Sequence, residues 1–350
     1  MQYNKIFVIF KTHLDVGFTD YAENVVRRFF TKLIPSALET AKKALSESNE
    51  RFIWTTGSWL IYEFLNNAEC KDKKRLEQAI VSGNICWHAL PFTTHTECMD
   101  CDLFEYGLSL SEKLDKQFGK KTIAAKMTDV PGHTRAMVPI LAKHGVEFLH
   151  IGVNPACTPP DVPSLFIWRA PDNSEIAVMY EGKYGDFTPI GNTGTAVYFA
   201  HAGDNAGAPS AEKVASILAE LRSEYPTAEI CTASLNDVAE AIRPIRNDLP
   251  VITQEIGDTW IHGISSDPRK MKDYRALLRF AQTLPSEWRE PFYHKLLMIP
   301  EHTWGMDVKT HFHDREFFST EELSWIRNPE TLPPKEDRTW QEQRDVNMAA

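Results

Sequence analysis

The sequence predicts an α/β fold built on a parallel sheet, and three observations carry that prediction. Between residues 5 and 260 short apolar runs alternate with longer amphipathic stretches, the pattern of strands alternating with helices. The 350 residues suffice for a large barrel or a doubly wound domain with extensions. Apolar residues make up 43% and charged residues 25%, and the 17 Gly and 21 Pro follow no period, which excludes collagen-like and wholly disordered chains.

Residues 6–10 read as a buried first strand. Residues 21–48 read as one helix, because Val25, Phe29, Leu33, Leu38 and Ala41 recur at three- to five-residue spacing. Further strands are expected at 52–56, 85–89, 124–127, 148–151, 176–180, 197–200 and 230–232, with helices in most gaps. Residues 305–350 turn polar and Pro-rich, with Asn328-Pro329 and Pro333-Pro334, and read as a linker or the start of another unit.

Several function classes fall away. Lys and Arg number 38 against 48 Asp and Glu, a net charge of −10, so nucleic acid is a poor partner. The apolar run at 6–10 is too short for a signal core or a membrane span, and a cytoplasmic protein with no membrane partner is expected. The six cysteines are sparse, as in a reducing compartment. Cys98-Met99-Asp100-Cys101 has redox or zinc spacing but no second pair completes a site. No GxGxxG follows the first strand and no GxxxxGK[ST] occurs, so common nucleotide sites are unsupported.

Polar residues instead gather just after strand ends, where barrel-like α/β folds carry their catalytic groups. After strand one comes Thr12-His13-Leu14-Asp15-Val16-Gly17-Phe18. In extended backbone His13 and Asp15 project to the same side and can grip one cation, or form a hydrogen-bonded helix cap. The second stretch is Asp129-Val130-Pro131-Gly132-His133-Thr134. Asp129 would face the mouth, with His133 orienting it or protonating a group beside it, or would cap the helix beginning near Met137. The third, from His201 to Pro209, reads as a small-residue loop around Asp204. In the fourth, Glu301-His302-Thr303-Trp304-Gly305, a structural histidine is the default. Together they supply imidazoles and carboxylates that suit a borderline metal with an open position, and also glycoside hydrolysis by paired carboxylates.

In this order the motifs resemble the catalytic domain of glycoside hydrolase family 38, the zinc-dependent retaining α-mannosidases. His13-Leu14-Asp15 matches the family's His-x-Asp, and Asp129 to Thr134 keeps the Asp, Gly and His of Asp-x-Phe-Gly-His-Ser. Phe166 to Ser174 is similar to Phe-x-Trp-x-x-x-Asp-Gly-Ser, and Gly203 to Pro209 to the glycine-rich loop of bacterial members. Glu301 to Gly305 is loosely similar to Phe-His-Asp-x-x-x-Gly. The resemblance runs from about residue 4 to residue 310. Phe18 stands where the family usually has Trp, Val130-Pro131 is altered, and the glycine loop is partly kept, which marks a divergent branch.

The resemblance implies an irregular seven-stranded (β/α) barrel over residues 1–310, with 311–350 as an extension towards a β-rich region. It implies Zn2+ held by His13, Asp15, Asp129 and His302, with Asp129 also the nucleophile and Asp204 the general acid/base. A mannoside-type carbohydrate is the expected substrate, and a homo-oligomer stays open. Residues 254–263 resemble a family segment expected to line the sugar pocket with Asp258, Trp260 and His262. Trp260 would stack on a sugar face or belong to the core. Phe18, His133, His88, Phe92, His95 and Glu97 are expected around the same mouth, and Asp186 is a reserve acid/base. The rivals are a zinc-dependent polysaccharide deacetylase or amidohydrolase, which would release acetate, and a carbohydrate-binding protein without turnover.

Overall fold

The computed structural model describes residues 2–261, 267–303, 305, 319–321, 324, 328, 330, 338–339 and 341–345. The chain divides into two units, Met1–Leu14 with Phe29–His262, and Asp15–Arg28 with Gly263–Ala350. Among the described residues the strands are β1 (Lys5–His13), β2 (Trp54–Gly57), β3 (Ile85–His88), β4 (Ala124–Asp129), β5 (Phe148–Val153), β6 (Leu165–Arg169), β7 (Glu175–Glu181), β8 (Phe187–Pro189), β9 (Thr195–Asp204), β10 (Glu229–Thr232) and β11 (Val251–Ile252). The α-helices are α1 (Ala22–Arg28), α2 (Ile34–Ser48), α3 (Ser58–Asn67), α4 (Cys70–Val81), α5 (Cys101–Phe118), α6 (Met137–Lys143), α7 (Ala211–Glu224), α8 (Leu235–Ile242), α9 (Pro268–Ala281) and α10 (Ser286–Leu296).

All eleven strands lie in the first unit, in two sheets. One runs β3-β2-β1-β9-β8. The edge of β1 opposite β9 is shared, with Lys5 to Val8 pairing β10 and Phe10 and Lys11 pairing β2. The other sheet runs β11-β6-β7-β5-β4. Pairing is parallel except β6 with β7 and β8 with β9. The amide of Ala89, just past β3, donates to Ala124 O of β4 at 2.9 Å and bridges the two sheets. A mixed α/β fold with parallel sheets is thus present, but the ladders trace two sheets and do not draw the expected ring of seven strands. Ile9, Phe148, Val197 and Phe199 share one core cluster, so side chains from both sheets face a common interior. A second cluster packs α6 against β4, β5, β6 and β7 through Met137, Val138, Leu141, Ile151 and Trp168.

Two expectations change for local reasons. The helix expected over 21–48 breaks into α1, a π-turn at Phe29–Leu33, and α2. Pro35 has no amide proton to donate, and the wider turn absorbs the interrupted ladder. The loop expected at 201–204 is instead the end of β9. His201 pairs Lys11, and Asp204 pairs His13 after a register shift. Asn205 N donates to His13 O at 3.2 Å, and Thr12 Oγ1 donates to Ala206 O, which extends the pairing.

The second unit contains α1, α9 and α10. Pro268 opens α9 behind Asp267, whose carboxylate accepts from Lys270 N at 3.2 Å and from Arg344 Nε at 2.8 Å. Glu342 accepts from the Ala22 amide at 2.9 Å at the start of α1. No described helix is long and apolar enough to cross a membrane.

Candidate active site

Asp129 is the last residue of β4 and has φ 85°. A left-handed backbone is uncommon for a residue with a β-carbon, and such outliers concentrate where a side chain must be aimed. Its Oδ1 accepts from Tyr184 Oη at 2.8 Å and from Asn154 Nδ2 at 3.0 Å. Asn154 Nδ2 also donates to Tyr184 Oη at 2.7 Å, and Asn154 N donates to Asp129 O at 3.0 Å. The other oxygen, Oδ2, lies 3.9 Å from His13 Nε2. The capping alternative is set aside, because α6 begins after Ala136 with no side-chain cap. Sequence reasoning assigned the orienting role to His133 and missed Tyr184 and Asn154. The available signal was Tyr184 itself, two residues before Asp186.

Asp204 is the register partner of His13 on β9 and is exposed. Asp129 and Asp204 therefore both neighbour His13, one through its ring and one through the strand ladder. The reserve candidate, Asp186, bonds Lys183 Nζ at 2.5 Å, and that bond holds its carboxyl below the usual range. A group kept ionised in this way is poorly suited to donating a proton.

Inside the second unit, His302 Nε2 lies 2.9 Å from Asp15 Oδ1, and His302 Nδ1 lies 2.8 Å from Glu301 Oε1. All three residues are buried. Glu301 also accepts from Thr303 N at 3.1 Å and from Thr303 Oγ1 at 3.2 Å. His302 is thus flanked by two carboxylates, one at each ring nitrogen. The chain after Asp15 turns sharply: Gly17 has φ 125°, and Gly17 N donates to Asp15 O at 2.9 Å. Phe18, half-buried at φ 60°, donates its amide to Gly305 O at 3.1 Å.

A third polar group lies in the first unit around His133. Gly132 is required there, since a β-carbon would sit 2.1 Å from Gly257 O. This approach lets His133 N donate to Ile256 O at 2.6 Å and brings in the following residues. His95 Nδ1 bonds Asp258 Oδ2 at 2.7 Å, and Thr96 Oγ1 bonds His133 Nδ1 at 3.3 Å. Asp258 N donates to Glu97 Oε1 at 3.1 Å, and Trp260 N donates to Asp258 Oδ1 at 2.8 Å. Burial pushes the His133 imidazole down to about 4, with Asp258 opposing. Trp260 is half-buried, and Phe92 packs against Trp59 edge to face. His262 lies outside the described residues.

The interior of the first unit holds two buried lysines. Lys11 and Lys126 are 1% and 4% exposed. Burial pushes the Lys11 amine down to about 7, with Glu181 opposing, and pushes Lys126 well below its usual value, with Lys11 adding to the effect. Lys11 Nζ donates to Tyr184 O, and Lys126 Nζ donates to Thr128 Oγ1 at 2.6 Å. His150 Nε2 bonds Glu181 Oε2 at 2.9 Å while its ring stacks on Phe199 with centroids 3.9 Å apart. His201 stacks on Tyr184 with centroids 4.9 Å apart, and burial pushes its imidazole down to about 2. His88, 2% exposed, is also held well below its usual value by burial.

In fold the chain is similar to an α-mannosidase from Enterococcus faecalis V583, with a TM-score of 0.68 at 11% identity over 99% of this chain and 42% of that one. It is similar to a glycosyl hydrolase family 38 protein from Enterococcus faecalis, with a TM-score of 0.56 at 11% identity over 100% and 39%. It is also similar to the α-amylase AmyC from Thermotoga maritima, with a TM-score of 0.53 at 9% identity over 98% and 92%. The chain spans about two fifths of the length of the two Enterococcus proteins. No curated protein matches it in sequence. These likenesses define the class of the fold, an α/β architecture shared with glycoside-processing enzymes. Residues 4–234 match the N-terminal domain of the glycosyl hydrolases of family 38, and the chain belongs to that family. Residues 264–350 match DUF5054, a domain of unknown function.

Proposed function

We propose that the chain is a metal-dependent retaining glycoside hydrolase acting on α-linked mannose or a related sugar, with its catalytic portion over residues 1–310. The observation that carries this reading is the setting of Asp129, whose backbone is strained at a strand end. Two donors hold one of its oxygens while the other faces His13. Family membership supports the reaction class.

In this reading His13, Asp15, Asp129 and His302 hold one divalent cation. Two imidazoles and two carboxylates form an N/O donor set of the kind zinc accepts. A bound zinc ion would supply positive charge that keeps carboxylates ionised and grips adjacent sugar hydroxyls.

The remaining chemistry belongs to the side chains. Asp129 Oδ2 attacks the anomeric carbon as the glycosidic C–O bond breaks, and the Asp204 proton passes to the departing oxygen. Asp204 then takes a proton from water, whose oxygen attacks the same carbon and releases Asp129. Tyr184 and Asn154 hold Oδ1, so Oδ2 stays aimed rather than rotating. The rim residues His95, His133, Asp258 and Trp260, with Phe18, His88 and His262, contact the sugar.

The test is release of an aryl group from an aryl α-mannoside by the full chain, with metal content measured in parallel. Turnover lost in both Asp129→Ala and Asp204→Ala, with about one zinc per chain lost in His13→Ala, is expected. Acetate released from an acetylated glycan without aryl release would instead establish the deacetylase reading.

A further inference from the structure

The support of Asp129 depends on where one phenol points. Tyr184 lies between β7 and β8, half-buried, and its Oη donates to Asp129 Oδ1 at 2.8 Å. Its backbone is pinned from several sides. Lys11 Nζ donates to its carbonyl, a β-carbon at Gly152 would lie 2.8 Å from that same oxygen, and Phe199 N donates to Asp186 O at 3.1 Å. Gly185 has φ 155°, and a β-carbon there would lie 2.6 Å from Phe199 Cβ, so a glycine lets this segment press onto β9. A pinned backbone does not by itself fix the ring, which turns about two side-chain torsions, and a half-exposed phenol has water to turn towards.

The face of that ring is met by His201. The two rings are 17° from parallel, with centroids 4.9 Å apart, an offset stack. Both ring nitrogens of His201 are buried and have no hydrogen-bond partner. Buried imidazoles normally bond through at least one nitrogen. Here the side chain offers its surroundings a flat face instead, and burial keeps it neutral. His201 also neighbours His13, with centroids 6.5 Å apart. Its own place is set by β9, where it pairs Lys11 in the ladder on the strand that ends at Asp204. The support of Asp129 therefore runs back to the strand that carries Asp204.

We propose that His201 is a positioning residue, whose ring holds the Tyr184 phenol at the angle from which Oη reaches Asp129 Oδ1 and leaves Oδ2 for the chemistry. It acts through its face and through neither nitrogen, so another flat ring can replace it. The proposal rests on the glycoside hydrolase reading for the role of Asp129, whereas the placing of Tyr184 by His201 stands on the stacking alone.

His201→Ala, His201→Phe and Tyr184→Phe are compared with the wild-type chain by crystallography and by kcat and KM on an aryl α-mannoside. In His201→Ala the Tyr184 hydroxyl should leave Asp129, and kcat should fall about three- to tenfold with KM little changed. His201→Phe should keep the hydroxyl in place and kcat within about twofold of wild type. In Tyr184→Phe, where no hydroxyl is left to place, adding His201→Ala should lower kcat by less than about twofold more. His201→Gln, which fills space without a ring, serves where His201→Ala does not fold and should show the same losses. Tyr184 unmoved in the ringless variant, a loss that His201→Phe shares, or a full further loss on the Tyr184→Phe background overturns the proposal. Turnover that is indifferent to His201 sinks the positioning role and leaves the hydrolase. Aryl release by none of the proteins, with Tyr184 displaced only where the ring at 201 is missing, sinks hydrolysis and leaves the placing of Tyr184.

Discussion

His150 makes the stability of the fold depend on pH in a way that can be calculated. Its ring is fully buried, stacked on Phe199, with Nε2 bonded to Glu181. Burial pushes its pKa from 6.5 down to about 4, and the Glu181 contact opposes this with smaller weight. The folded value lies below the unfolded one, so between pH 6.5 and 4 the unfolded chain binds more protons. Stability therefore falls as pH drops through that window. A shift of this size is worth about 3 kcal/mol in full, and about 2 kcal/mol is already lost at pH 5. That is a sizeable part of the roughly 5–15 kcal/mol that holds a domain folded. His150→Gln keeps a donor near Glu181 but removes the titration. Its cost at pH 7.5 is about 1 kcal/mol from the lost stacking. Urea unfolding at pH 7.5 and 5.0 should show the wild type losing about 2 kcal/mol more than the variant over that interval. If the two proteins lose stability in parallel, His150 is not a neutral core imidazole and the reasoning fails.

Three further outcomes follow from the site. Tyr184→Phe keeps the stacking on His201 and the carbonyl that Lys11 meets, but removes one of the two donors on Asp129 Oδ1. A hydrogen bond to a charged group is worth about 1.5–3 kcal/mol, so kcat on an aryl α-mannoside should fall at least about tenfold with KM little changed; an unaltered kcat would show that Oδ1 needs no such support. His302→Ala should remove most bound zinc at pH 7.5, read by elemental analysis of the folded protein, and full retention would exclude His302 as a ligand. Gly132→Ala forces a β-carbon against Gly257 O, and should destabilise the fold by about 1–3 kcal/mol in urea titration. A neutral result there would mean that the 255–258 segment moves away freely.

Most strands were legible because their apolar runs are long enough to bury on both faces. What escaped were short or differently paired pieces. Three residues at Phe187–Pro189 and two at Val251–Ile252 carry too little pattern to mark a strand. Residues 165–169 read as part of a motif, yet Leu165–Arg169 pairs antiparallel with β7. The break in the 21–48 helix follows from Pro35, which the apolar spacing alone passes over. For the candidate site, the strand-end rule singles out His13, Asp129 and Asp204, which do close β1, β4 and β9, because it depends only on where an apolar run stops. It could not find who holds Asp129. Asn154 and Tyr184 lie 25 and 55 residues away, and their contact depends on sheet order.

The lysines show the same limit from the other side. Lys11 directly follows the apolar run at 6–10, and Lys126 lies inside the strand expected at 124–127. In the structure both strands continue, Lys11 to His13 and Lys126 to Asp129. Strand alternation puts Lys11 and His13 on one face of β1, and Lys126 and Thr128 on one face of β4. A lysine in that position costs stability unless something compensates it. Glu181 faces Lys11 electrostatically, whereas Lys126 is bonded to a threonine and has Lys11 as its charged neighbour. Both amines are thus pushed towards their neutral forms by burial, Lys126 with no opposing acid beside it, and neither setting can be read from the local sequence because it depends on which strands lie side by side.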